Sequence, residues 1–271
     1  MESPTPSVHS ASTERPRLTL LGAASGILLL FTPAGAVEIP ERGTDQIAHF
    51  CMVAHGGSER WETVRDMRFT HVVTRYGPGN ETIQERAAEV YMRLQPRRQC
   101  RIETFTEDGK SQTIIYDGEE IQLLNDGVAE TDSVALKRAR RRALSLLYMA
   151  GLPFNLDDEG VSLSYRGEGK IGERDVYHLR ARIIGGKFFS PADTYDYFID
   201  KETYRVAQLV YTNTREGVSY LVWWSEMKIL EGILRPVLWD YMASPRQKAT
   251  SVEYKDLQIN SGLDRALFEI D

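Results

Sequence analysis

Residues 218–243, VSYLVWWSEMKIL-EG-ILRPVLWDYMA, decide the fold class. Aromatic and β-branched residues fill both halves, and Glu231-Gly232 between them is a two-residue turn of the kind that joins antiparallel neighbours. The stretch therefore reads as a hairpin of strands 218–230 and 233–243. A further run at 248–259 follows with no helix between.

The same grammar extends outward in both directions. Upstream, alternation or β-branched runs occur at 160–166, 174–184, 194–199 and 204–213, with breaks at Gly185-Gly186 and Asp200-Lys201-Glu202. Earlier still, Met67, Phe69, His71 and Val73 alternate, and runs at 82–94, 97–106, 111–116 and 119–124 are divided by Gly77-Pro78-Gly79-Asn80, Asp108-Gly109 and Asp117-Gly118. These runs amount to about ten or eleven short antiparallel strands in a meander, which must curl to cover its buried face.

Two helical stretches interrupt the strands. Thr44-Asp45 offers an N-cap, Ile47, Phe50, Cys51 and Ala54 recur at helical spacing, and His55-Gly56-Gly57 breaks the helix before Ser58 caps a turn carrying Trp61 and Val64. In Ser133–Ala150, Leu136, Ala139, Ala143, Leu144 and Leu147 are assigned to one face, and Lys137, Arg138, Arg141 and Arg142 to the other. Gly151 and Pro153 end it. The basic face has two readings: a solvated outside, or a contact with anionic lipid head groups or an acidic partner.

The first residues point to export. Arg15 and Arg17 precede an apolar run, Leu18–Phe31, of about 14 residues, short of the roughly 20 needed to span a bilayer. Small residues at Ala34 and Ala36 suit cleavage before Val37. The expected organisation is a signal peptide at 1–36, a linker at 37–43 and a single domain at 44–271, working in the periplasm or outside the cell. A retained N-terminal anchor is the alternative. Loss of the leader removes Glu2, Glu14, Arg15 and Arg17 and leaves the net charge of −6 unchanged. That mild acidity argues against nucleic acid as a partner.

Candidate chemistry is sparse. Cys51 and Cys100, in an oxidising compartment, are either a disulfide or two small buried hydrophobes. Gly167-Glu168-Gly169-Lys170-Ile171-Gly172 spells a dinucleotide fingerprint, but the strand-like Glu173–Leu179 follows where a helix should receive the pyrophosphate, so it reads as a hairpin loop. His49, His55, His71 and His178 make no zinc-binding pair, and there is no nucleophile elbow. Asp157, Asp158 and Glu159 lack calcium-loop spacing. The expectation is no catalytic residue, no metal and no cofactor. Aromatic supply is what stands out, and because Trp223 and Trp224 point to opposite faces of a strand, more than one face there is apolar.

A family resemblance enters on short motifs. His55-Gly56-Gly57 with Trp61, Gly151-Leu152-Pro153-Phe154-Asn155-Leu156 with Asp158 and Gly160, and Pro191-Ala192-Asp193-x-Tyr195 leading to Ile199-Asp200-x-x-Thr203 resemble a group of exported bacterial proteins. That group is similar to the lipoprotein carriers and receptors of the LolA/LolB type. Asn155 stands where the group often has lysine, and the acylation cysteine of the lipoprotein receptors is absent. The resemblance implies a mainly β, α+β fold: a curved antiparallel half-barrel whose concave face is covered by helices. It also implies a non-catalytic carrier for a lipid or a lipoprotein acyl chain. Trp61, Phe69, Leu144, Leu147, Phe154, Trp223 and Trp239 are the expected cavity lining, and Lys137, Arg138, Arg141 and Arg142 a possible membrane-surface contact. The rival reading is an envelope interaction module with no small ligand.

Overall fold

The computed structural model describes residues 43–106, 108–184, 194–213 and 217–270. The expected leader at 1–36 and most of the linker lie outside the described residues, as do Gly185-Gly186 and Pro191-Ala192-Asp193. The chain begins with α1 (Thr44–Ala54) and α2 (Ser58–Glu62), then β1 (Asp66–Tyr76), β2 (Thr82–Arg93), β3 (Gln99–Phe105), β4 (Ser111–Tyr116), β5 (Ile121–Asn125) and β6 (Val128–Ala129). Helix α3 (Ser133–Gly151) and a 3-10 turn at Phe154–Asp157 lead to the second series. That series comprises β7 (Val161–Ile171), β8 (Arg174–Ile183), β9 (Thr194–Asp200), β10 (Val206–Asn213), β11 (Val218–Leu230), β12 (Ile233–Ser244) and β13 (Gln247–Ile259).

Among the described residues, 13 strands join one open sheet in the order β6-β5-β4-β3-β2-β1-β13-β12-β11-β10-β9-β8-β7. Every pairing is antiparallel. The expected ten or eleven strands fall short. One reason is β6, whose two residues are too few to show alternation; Asp126-Gly127, at φ 51° and 78°, makes its tight turn. The glycine run corrects a second expectation: Gly167 and Gly169 lie inside β7, with a register shift between Tyr165 and Gly167, and only Gly172-Glu173 turns the hairpin.

The topology places the ends of the sequence at the middle of the sheet. Strands β1 to β6 step outward, β7 to β13 return from the other edge, and β1 pairs with β13 from Met67↔Ile259 to Arg75↔Thr250. The link from edge β6 to edge β7 must cross the sheet, and α3 is that link. It can cross because a stripe of Ala139, Ala143, Leu146, Leu147 and Ala150 is buried, packing against β3, β4 and β5. Asp132 caps its start by accepting from the Ala135 N–H at 2.8 Å. In α1 the N-cap is Gly43, so Thr44 is already helical.

The joint between α1 and α2 is pinned to the β11–β12 hairpin. The Leu234 N–H donates to His55 O at 2.8 Å, and Arg60 donates to Gly232 O at 3.1 Å. Contact is so close that a Cβ on Gly56, at φ +121°, would stand 2.6 Å from Gly232 O. Cys51 and Cys100 are both free and buried, which decides between the two readings of the cysteines.

Candidate functional site

The core-facing side of the sheet divides into two regions. The first is filled. The Trp61 and Phe154 rings stack at 4.9 Å and 6°, Phe69 stacks on Tyr254 at 3.9 Å, and Trp239 meets Tyr254 at 4.4 Å. Phe69, Leu147, Phe154 and Trp239 are all buried in the main core cluster, with Trp61 and Leu144 packed against it half-covered. Six of the seven expected lining residues thus lie in the core cluster or pack against it.

The seventh, Trp223, faces the other way. It stands opposite Asp240, whereas Trp224 opposes Trp239, packs against the core and meets His55 edge-on at 5.7 Å. Period-two alternation made the two tryptophans distinguishable in direction but not in sign, and the core-facing member is the second.

Within the filled region lies an unusual group. Arg235 is 0% exposed, and none of its three guanidinium nitrogens has a hydrogen-bond partner among the described residues. Its charge sits 5.2 Å from the Trp61 ring centroid in a cation–π contact, with Tyr254 as an electrostatic neighbour. Burial pulls its pKa down to about 10. Beside it His55, whose Nδ1–H donates to Cys51 O at 2.8 Å, is pulled down to about 4, mainly by burial.

The second region is a run of tyrosines. Tyr148 of α3 meets Tyr195 at 5.0 Å, Tyr195 meets Tyr211 at 5.1 Å, and Tyr211–Tyr220 and Tyr220–Tyr241 follow at 6.3 Å each. Register produces it: Tyr211 stands directly opposite Tyr195 on β9 and Tyr220 on β11. Tyr211, Tyr220 and Tyr241 are only half-buried.

Tyr241 ends this row, and His71 stands at the edge of the filled region, 6.4 Å from the Phe69 ring and 5.7 Å from the Tyr254 ring. Burial pushes the Tyr241 hydroxyl up to about 12 and pulls His71 down to about 4, with the Arg142 charge adding to the latter, yet both side chains remain partly accessible. Both are less covered than Phe69 or Trp239.

Arg142 approaches His71 from α3, which corrects its assignment to the outer face of the helix. Standing three residues after Ala139 and four before Leu146, it lies at the edge of the buried stripe. Burial lowers its pKa, and Cys100 and Arg86 are its electrostatic neighbours. Lys137, Arg138 and Arg141 are exposed as expected. His71 stands opposite Ala88, and since Glu89 opposes Glu103, Ala88 stands beside Thr104, whose buried hydroxyl has no hydrogen-bond partner.

Three further carboxylates are paired. Asp196 accepts from His178 at 2.7 Å and from Arg180 at 2.8 and 2.9 Å. Asp240 accepts from Ser225, Ser251 and Lys248. Asp158, in the loop after Pro153, pairs with Arg98 at 3.1 Å. Among the described residues no group of three or more His, Cys, Asp or Glu side chains gathers as a metal site, and no helix is long and apolar enough to cross a membrane.

No protein-family model and no curated protein sequence matches the chain. Its fold does match solved structures. A DUF1329 family protein from Desulfovibrio piger superposes with a TM-score of 0.57 at 15% identity, over 83% of this chain and 97% of that one. A LolA superfamily protein from Nitrosomonas europaea superposes with a TM-score of 0.52 at 12% identity, over 81% of this chain and 97% of that one. The LolA-type fold expected from the sequence is the fold the chain adopts.

Proposed function

We propose that this chain is an exported, non-catalytic carrier or binding protein of the cell envelope, holding a lipid or the acyl chain of a lipoprotein inside a half-barrel whose concave face the helices cover. One observation carries the reading: the tyrosine run from Tyr195 to Tyr241 lies on the core-facing side of the sheet, and part of it is left uncovered. A tyrosine surface is apolar over most of its area with a polar tip, which suits an amphiphile. Each methylene moved from water onto it contributes about 0.8 kcal/mol, so a long chain binds usefully with no covalent step.

The lining this reading uses differs from the one expected from sequence. Tyr211, Tyr220, Tyr241, His71 and Arg142 take the place of Phe69, Leu147, Phe154 and Trp239, with Leu144 retained at the edge. Helix α3 then serves as a lid, since it alone links the two edges of the sheet and carries both Tyr148 and Arg142. The exposed Lys137, Arg138 and Arg141 on its outer side suit approach to an anionic membrane surface.

The test is direct. Mature protein purified from its host should yield extractable lipid, and the purified protein should bind the uncharged fluorophore N-phenyl-1-naphthylamine and release it to fatty acid. Absence of both co-purified lipid and displaceable probe would contradict the carrier reading.

A further inference from the structure

Three features of the interior bear on what kind of amphiphile fits, an inference that rests on the carrier reading above. First, Arg142 is inward and partly covered, and no hydrogen bond or ion pair reaches it from the described residues. Its electrostatic neighbours are a buried thiol, Cys100, and a like charge, Arg86. Secondly, the polar groups around it are short of acceptors. Thr104 presents a buried hydroxyl with no partner among the described residues, and His71, two strands away across Ala88, has a buried Nδ1 with none. Thirdly, the core-facing side of the same sheet carries a row of half-buried aromatic rings in contact with one another, Tyr241, Tyr220 and Tyr211.

A guanidinium removed from water and left without a counter-charge is destabilising, and an apolar ligand would make that worse by displacing its remaining solvent. A planar oxyanion reverses the sign, because it accepts two parallel N–H bonds from the guanidinium fork in surroundings of low dielectric constant. The Thr104 hydroxyl can donate a further bond.

We infer that the ligand is an anionic amphiphile whose carboxylate or phosphate head is received by Arg142, beside Thr104 and His71, while its apolar chain lies over Tyr241, Tyr220 and Tyr211. Arg86, on the same face of β2 opposite Val73, adds attraction at the edge of the site. An uncharged lipid with the same chain would leave the guanidinium unmatched, so head-group charge sets selectivity and the tyrosines set chain affinity.

The experiment compares oleate, oleyl alcohol and inorganic phosphate on the full mature protein, by displacement of N-phenyl-1-naphthylamine and by thermal melting. In the unmodified protein oleate should displace the probe at a concentration at least about tenfold below oleyl alcohol. In Arg142→Met that ratio should fall to near one, and Arg142→Lys, which keeps the charge without the fork, should retain part of it. Equal potency of the two ligands in the unmodified protein overturns the inference without need of any variant. So does a preference that survives Arg142→Met.

Phosphate separates the possible sources of the oxyanion. A rise in melting temperature with phosphate that Arg142→Met abolishes supports the same site acting on a free anion. Displacement of the probe equally by both oleyl ligands leaves the carrier reading standing and removes the charge selectivity. Failure of both to displace it, with an Arg142-dependent effect of phosphate, removes the carrier reading and keeps the anion site.

Discussion

The two regions of the interior contain the same chemistry in opposite states of completion. Around Trp61 and Phe154 aromatic rings touch face to face, and a guanidinium, Arg235, is sealed among them at 0% exposure. Along the tyrosines the rings form a row of which Tyr211, Tyr220 and Tyr241 are only half-buried, and a second guanidinium, Arg142, is itself only partly covered beside His71. The contrast teaches that aromatic abundance does not by itself locate a binding surface. What separates core from site is whether a deep side chain is also covered.

The largest effect should come from opening the filled region. Phe154→Ala removes one half of the stack on Trp61 and should lower stability by about 3–5 kcal/mol, read as a fall in denaturation midpoint, while probe affinity per folded molecule changes little. Loss of probe binding in proportion to the cavity created would mean that the two regions are one.

Acid should act on both regions together. His55 and His71 are each pulled from 6.5 to about 4 in the folded protein. The unfolded chain therefore takes up protons below pH 6.5 that the folded chain refuses until about pH 4. Their contribution is complete above pH 6.5 and is lost as pH falls through that window, on the order of 1–3 kcal/mol for each histidine. Melting temperature followed from pH 7.5 to 4 should show the decline, and His55→Gln and His71→Gln should each flatten it. An unchanged slope in both variants would place the acid sensitivity elsewhere.

A smaller effect, of opposite sign, should follow at Arg235. Replacing an unpaired buried charge by an apolar side chain of similar length removes a desolvation penalty but also a cation–π contact. Arg235→Met should therefore raise stability by roughly 1–2 kcal/mol in chemical denaturation. A loss of that size instead would show that the stack on Trp61 depends on the charge.

Much of the architecture was legible because antiparallel hairpins announce themselves locally. Glu231-Gly232 at φ 47° and 79° is the turn its residues specify, and the strands on either side fall within a residue of their expected limits. Strand β6 was missed although Asp126-Gly127 carries the same signal, because two residues cannot display a period. The pairing of β1 with β13 is a non-local consequence of closure that no local pattern states.

The site was less legible, for reasons of geometry. Size and hydrophobicity chose Phe69, Phe154 and Trp239, but those properties are shared by core and cavity wall alike. Arg142 was grouped with the outer basic face because it belongs to a run of basic residues. Its place at the edge of the buried stripe, three residues from Ala139 and four from Leu146, was already in the sequence. The spacing of Tyr195, Tyr211 and Tyr220 held the clue to the tyrosine row, but only the strand register brings them side by side. Trp223 and Trp224 show the limit of alternation: it says that two neighbours diverge, and the pairing partner decides which one turns inward.

Photolabelling tests the central contrast most directly. A fatty acid bearing a diazirine at its chain end, irradiated on the folded mature protein and mapped by peptide mass spectrometry, should mark strands β10 to β12 near Tyr211, Tyr220 and Tyr241. Label confined to the outer surface around Trp223, or spread without saturation over the exposed residues, would contradict an interior ligand surface.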